Sequence, residues 1–204
     1  AQQEGVGLSE EDKDAYIELR QKVTVLSKKF NDNIAAARAE FKHEVTDVGG
    51  MPDATKKKWA ANYKAKNPEA AVTDEDGPYL VLGMADQNSI LKYSDDRQLR
   101  IAITEYVNTC NAAGAKYDNT KLAKELLETK QKIAVLLGKQ VDSSGNPLGY
   151  KNYAEYAIAA RCMQTPEAAK EFIIGATEVF SERAKNEFEQ MKALYAEETG
   201  NDPS

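Results

Sequence analysis

The chain is poor in the residues that do most enzyme chemistry. It has 204 residues but one histidine and two cysteines. A single imidazole excludes any metal centre built from two or more histidines of this chain, and any Ser/His or Cys/His site not centred on His43. The cysteines, Cys110 and Cys162, form no C-x-x-C pair and no zinc-ligand spacing, so buried free thiols in a reducing compartment are expected. Neither G-x-S-x-G nor a P-loop occurs. No apolar run approaches the roughly 20 residues of a membrane span. The N-terminal stretch AQQEGVGLSEEDK lacks the basic and apolar regions of a signal peptide, and a cytoplasmic location is expected. Basic excess is missing too: the formal charge is -6, which argues against a nucleic-acid partner. The short run Lys56-Lys57-Lys58 reads as a solvated helix face.

What is present is helix. Charged residues make up 29% and apolar residues 42%, enough to bury a core, and the apolar residues recur at steps of three and four. Ser9, followed by Glu10, Glu11 and Asp12, caps a first helix expected over 9–47. Its stripe runs through Tyr16, Leu19, Val23, Leu26, Phe30, Ile34, Ala37, Phe41 and Val45, roughly 55 Å of helix that requires a long antiparallel neighbour. Gly49-Gly50 stop it, and Pro52 opens a second helix to about residue 66 carrying Trp59 and Tyr63. Residues 71–73 and 79–82 flank Asp74-Glu75-Asp76-Gly77-Pro78 and predict a small hairpin or extended element near 71–82.

Residues 89–93 read as a short apolar turn, and Ser94 then caps a helix to about residue 113. Asp118 or Asn119 caps the next, which ends at Leu137 with Gly138 as a C′ glycine. Residues 139–149 are a polar loop; Asn152 caps a helix to about residue 163, and Thr165-Pro166 start a last one reaching residue 199. That last helix carries Phe172, Ile173, Ala176, Phe180, Phe188, Met191 and Tyr195. The expected fold is all-α: long antiparallel helices packed as a bundle in a single domain over 1–204, with one minor β element.

The constellations that carry chemistry elsewhere do not close here. His43-Glu44-Val45-Thr46-Asp47 begins like H-E-x-x-H, which needs two imidazoles one helical turn apart; Asp47 stands where the second would be. Asp74-Glu75-Asp76-Gly77 lacks the spacing of a calcium loop, and Asp95-Asp96 suits a cap. Tyr150, Tyr153 and Tyr156 could stack on a ligand, but aromatics at a helix entrance more commonly pack. The residues alone therefore name no catalytic residue, no metal ligand and no defined substrate-binding residue.

Four stretches in order, 8–47, 77–107, 117–138 and 148–172, resemble the middle section of the thimet oligopeptidase, oligopeptidase A and peptidyl-dipeptidase family of zinc peptidases. The most specific is LGYKNYAEY at 148–156. Residues 139–147 interrupt the family's usual run from L-L-G into the K-N-Y-A stretch, so an inserted loop is expected. The resemblance implies a helical, non-catalytic part of a zinc metallopeptidase whose H-E-x-x-H lies beyond these residues. It implies a channel wall that admits short peptides and excludes folded proteins. It also implies that the other partner is the remainder of the same polypeptide, with zinc belonging to that remainder. The competing reading is a free-standing helical bundle that binds a partner protein.

Overall fold

The computed structural model describes residues 5–201. Its elements run α1 (Glu10–Glu40), β1 (Lys42–Val45), α2 (Asp53–Lys66), β2 (Tyr79–Leu82), α3 (Gln87–Tyr93), α4 (Arg97–Thr109), α5 (Thr120–Leu137), α6 (Tyr153–Ile158) and α7 (Pro166–Thr199). The fold is mostly α with one small antiparallel sheet. The chain divides into two compact units, residues 18–129 and residues 1–17 with 130–204.

In the unit formed by 18–129, the β element departs from the sequence expectation. Tyr79–Leu82 is extended, but its partner is Lys42–Val45 rather than 71–73, with His43 opposite Val81 and Val45 opposite Tyr79. The first helix therefore ends at Glu40, seven residues early. The reason lies in the spacing: Phe41 and Val45 are four apart, a step that keeps both on one side of a helix and equally on one face of a strand. Phe41 and Val45 are buried while Lys42 and Glu44 are exposed, the alternation of a strand with one wet face. The segment 71–78 keeps only a tight turn bridged between Thr73 and Gly77.

Helix α2 packs on β2. Trp59 and Ala60 join Phe41, Val45, Met51, Tyr79, Val81, Ile90, Leu99 and Ile103 in one buried cluster. The Trp59 indole N–H donates to Asp86 Oδ2 at 2.8 Å, and Asn62 Nδ2 donates to the Leu80 carbonyl at 3.1 Å. Asp86 thus finds a partner for its half-hidden charge, which Lys58 Nζ also meets at 2.9 Å. In this unit α1 and α5 run antiparallel: Lys22 pairs with Glu125 at 2.7 Å, and Asn33 Nδ2 donates to Asn119 Oδ1 at 2.8 Å. Asn119 is itself buried and donates through Nδ2 to the Phe30 carbonyl. Tyr106 Oη reaches the Ala37 carbonyl at 2.6 Å, and burial pushes its phenol pKa up. At the end of α1, Glu40 accepts from Lys116 and from Tyr117 Oη, which together hold its carboxyl below the ordinary range.

Helix boundaries shifted where a better cap competes. Asp96, not Ser94, caps α4, its carboxylate accepting from the Gln98 and Leu99 amides. Ser94 instead closes α3, the helix that replaces the expected apolar turn. Gly50 sits at φ 73°, where a Cβ would lie 1.8 Å from the Tyr93 carbonyl oxygen, so glycine is required for both conformation and space.

In the other unit, Leu8, Ile133, Ala134, Leu136 and Leu137 are buried. Gln140, also buried, accepts the Gly7 amide at 3.0 Å and donates to the Leu137 carbonyl. Lys139 pairs with Asp12 at 2.6 Å, which lowers the Asp12 pKa. Residues 138–149 form a self-braced loop. Leu148 N donates to Gln140 O, Gly149 N to Gly138 O, and Asp142 Oδ1 accepts from the Ser144 and Asn146 amides. Gly138 is not a left-handed cap; glycine is needed there because a Cβ would lie 2.7 Å from the Tyr150 amide nitrogen. Helix α6 stops at Ile158, five residues before its expected end. Thr165 caps α7 through the Ala168 amide, with Pro166 at the first turn and Gly200 left-handed at the close.

Candidate functional site

The tyrosine cluster is brought together as the sequence suggests. Tyr150 and Tyr156 meet edge-to-face with centroids 5.7 Å apart, and Tyr153 and Tyr156 lie 5.6 Å apart, tilted by 53°. Asn152 Oδ1 accepts the Glu155 amide at 3.0 Å, and Glu155 Oε2 accepts the Lys151 amide at 2.8 Å, a reciprocal cap that fixes the α6 entrance. Gln131 of α5 holds the same entrance with both ends of its amide. Its Oε1 accepts from Tyr153 N at 3.0 Å, and its Nε2 donates to the Lys151 carbonyl at 2.7 Å. Sequence reasoning passed over Gln131, because an exposed-looking glutamine in a polar helix carries no motif. Lys130 Nζ stands 5.4 Å above the Tyr153 ring.

Beside these rings lies a recess of about 470 Å³ bounded by Tyr153, Tyr156, Ala157, Ala160 and Arg161. It offers aromatic edges and a cation but no nucleophile–base pair. A second recess of about 390 Å³ is lined by Asp53, Lys56, Lys57, Asp74 and Glu75. Its charges are of both signs, and Lys56 pairs with Asp53 at 3.4 Å. The adjoining Asp74–Asp76 turn is tied down by Tyr79, whose Oη donates to the Glu75 carbonyl at 2.5 Å. Burial raises the Tyr79 pKa, and the Asp76 charge adds to that.

The remaining candidates lie apart. His43 is on strand β1, stacked with Phe41 at 6.3 Å, so it does not stand one helical turn from residue 47. Asp47 Oδ1 instead accepts the Gly49 amide at 2.8 Å. These residues do not fit a zinc site: on a strand, His43 and Glu44 point to opposite faces. Among the described residues no group of three or more His, Cys, Asp or Glu is placed to hold a metal ion. Cys110 and Cys162 are free; against the expectation of burial, Cys110 is half-buried and Cys162 is exposed, since α6 ends before reaching it. Asp96 is spent on its cap. Among the described residues no helix is long and apolar enough to cross a membrane.

Comparison with known proteins places the chain. The model of peptidase family M3 matches residues 90–204. Oligopeptidase A of Escherichia coli is 24% identical over 205 residues, covering 97% of this chain and 28% of that protein. Oligopeptidase A of Salmonella typhimurium is 23% identical over 203 residues, with 96% and 27% covered. A probable cytosolic oligopeptidase A of Arabidopsis thaliana is 26% identical over 195 residues, with 93% and 26% covered. The chain thus spans about a quarter of the length of the curated relatives it matches.

Proposed function

The chain belongs to peptidase family M3, and from that premise we propose that residues 1–204 are one helical, non-catalytic domain of a zinc-dependent oligopeptidase. In this reading the domain forms part of the wall of a deep channel that admits short peptides and excludes folded proteins. The zinc and its ligands belong to residues outside 1–204, and the enzyme works in the cytoplasm, where the free Cys110 and Cys162 stay reduced.

The observation that carries this reading is the colinear match to oligopeptidase A over 93–97% of the chain. The physical support is stiffness. Helices α1 and α7 have 31 and 34 residues, about 46 and 50 Å long. A wall that sorts substrates by size has to keep its shape, and long capped helices do so. The tyrosines of α6 serve as packing at a helix entrance.

The experiment is to express the complete natural reading frame and assay a short unstructured peptide against the same sequence embedded in a folded domain. The expected result is cleavage of the free peptide alone, abolished by a chelator and restored by zinc, with none by residues 1–204. A reading frame that lacks H-E-x-x-H, or cleavage that a chelator leaves intact, overturns the proposal. The competing reading, a free-standing interaction module, would use the same uncovered α7 to bind a partner protein. A natural protein of 204 residues would decide for it.

A further inference from the structure

Helix α7 has no buried residue in its 34, although Phe172, Ile173, Ile174, Val179, Phe180, Phe188, Met191, Leu194 and Tyr195 are all large and exposed. At about 100° per residue all of these but Ile174 fall within roughly half the helix circumference, over about 35 Å of its length. Val179 is 73% exposed and Phe180 63%. The opposite side carries Glu171, Glu178, Glu182 and Glu189 with Lys185 and Lys192. Within the apolar face an Arg183–Glu187 ion pair at 2.7 Å separates a block at 172–180 from a block at 188–195.

Two apolar blocks aligned on one helix face are a binding surface rather than ordinary surface scatter. One neighbouring helix covers a stripe of roughly 100°, so half a circumference calls for two. Resting on the oligopeptidase reading above, we propose that this face of α7 is a docking surface. Its occupant is a pair of apolar helix faces from the part of the same polypeptide outside residues 1–204. The length arithmetic points there, because the matched relatives are nearly four times as long as this chain. Lipid fits poorly: helices that lie on membranes carry lysine and arginine opposite their apolar side, and here glutamates predominate.

The test is thiol labelling of single-cysteine variants in a C110S/C162S background. F180C and M191C report the apolar face, and E182C and E189C report the acidic one. In the protein from the complete reading frame, F180C and M191C should label at least about tenfold more slowly than E182C and E189C, whereas in residues 1–204 all four should label alike. Equal labelling of all four in the complete protein overturns the proposal. So does a complete protein of only 204 residues. Protection that develops in 1–204 with rising protein concentration makes the occupant a second copy. Protection that needs vesicles makes it lipid. Peptide hydrolysis by the same preparation is the separate readout: protection without hydrolysis sinks the enzymatic reading alone, and hydrolysis without protection sinks the docking surface alone.

Discussion

The core around Trp59 and the helix α7 are made from similar residues and end in opposite states. In the first, ten side chains from β1, β2, α2, α3, α4 and the adjoining loops close on one another, and none of the ten is more than 4% exposed. In the second, nine large apolar side chains face solvent along 34 residues of well-capped helix. The difference is not in hydrophobicity but in who is present. Short elements folding back within 18–129 bring their own partners, whereas the cap, proline start and left-handed glycine stop of α7 make a long helix without burying any of it.

The sharpest way to break the comparison is to hollow out the closed side. Trp59→Ala removes the largest fully buried side chain and leaves Asp86 without its indole donor. It should cost about 3–5 kcal/mol, read as a drop in the urea midpoint by circular dichroism. A midpoint within error of the parent chain would mean that this cluster does not hold the 18–129 unit together.

Gly50→Ala attacks the same side through the backbone. The left-handed conformation alone costs an alanine roughly 1–2 kcal/mol, and the approach to the Tyr93 carbonyl adds to it. A loss of at least about 1 kcal/mol is expected, and Gly50→Asn should recover less than a purely conformational account allows, because its Cβ meets the same oxygen. Equal stability for the three residues would show that the 49–50 turn lies further from Tyr93.

How much of this was readable beforehand depends on whether one spacing permits one structure or two. The caps at Asn152 and Thr165 were legible, because a side-chain oxygen three residues ahead of a helical amide is a local matter. The 42–45 strand was not, since the four-residue step from Phe41 to Val45 satisfies both periods and only the distant Tyr79–Leu82 decides between them. Gly138 looked like a cap and is a close-approach glycine, a role set by Tyr150 twelve residues on. At the candidate site the three tyrosines were visible and Gln131 was not: a local cluster announces itself, but the side chain that holds it in place does not. The sequence of the last helix showed its apolar residues and said nothing about what covers them.

A smaller effect tests α7 from the opposite direction. Gly175 lies inside the helix with open space where a Cβ would go. Gly175→Ala should therefore stabilise residues 1–204 by about 0.5–1 kcal/mol, seen as a raised Tm. In the complete protein, an occupant packed against that position would reduce or reverse the gain.

The smallest effect is the most telling. Phe180 and Trp59 are both large aromatics, and transfer free energy alone would make their truncation comparably costly. Phe180→Ala in residues 1–204 should nevertheless change stability by less than about 0.5 kcal/mol, because a residue already 63% exposed loses little burial when truncated. In the complete protein the same substitution should cost about 3 kcal/mol or more if α7 is covered there. The two urea titrations, run on the same variant in two lengths of chain, measure the partner's contribution directly. A large loss in 1–204 would mean that α7 already finds cover within these residues, and the contrast with the Trp59 core would fall.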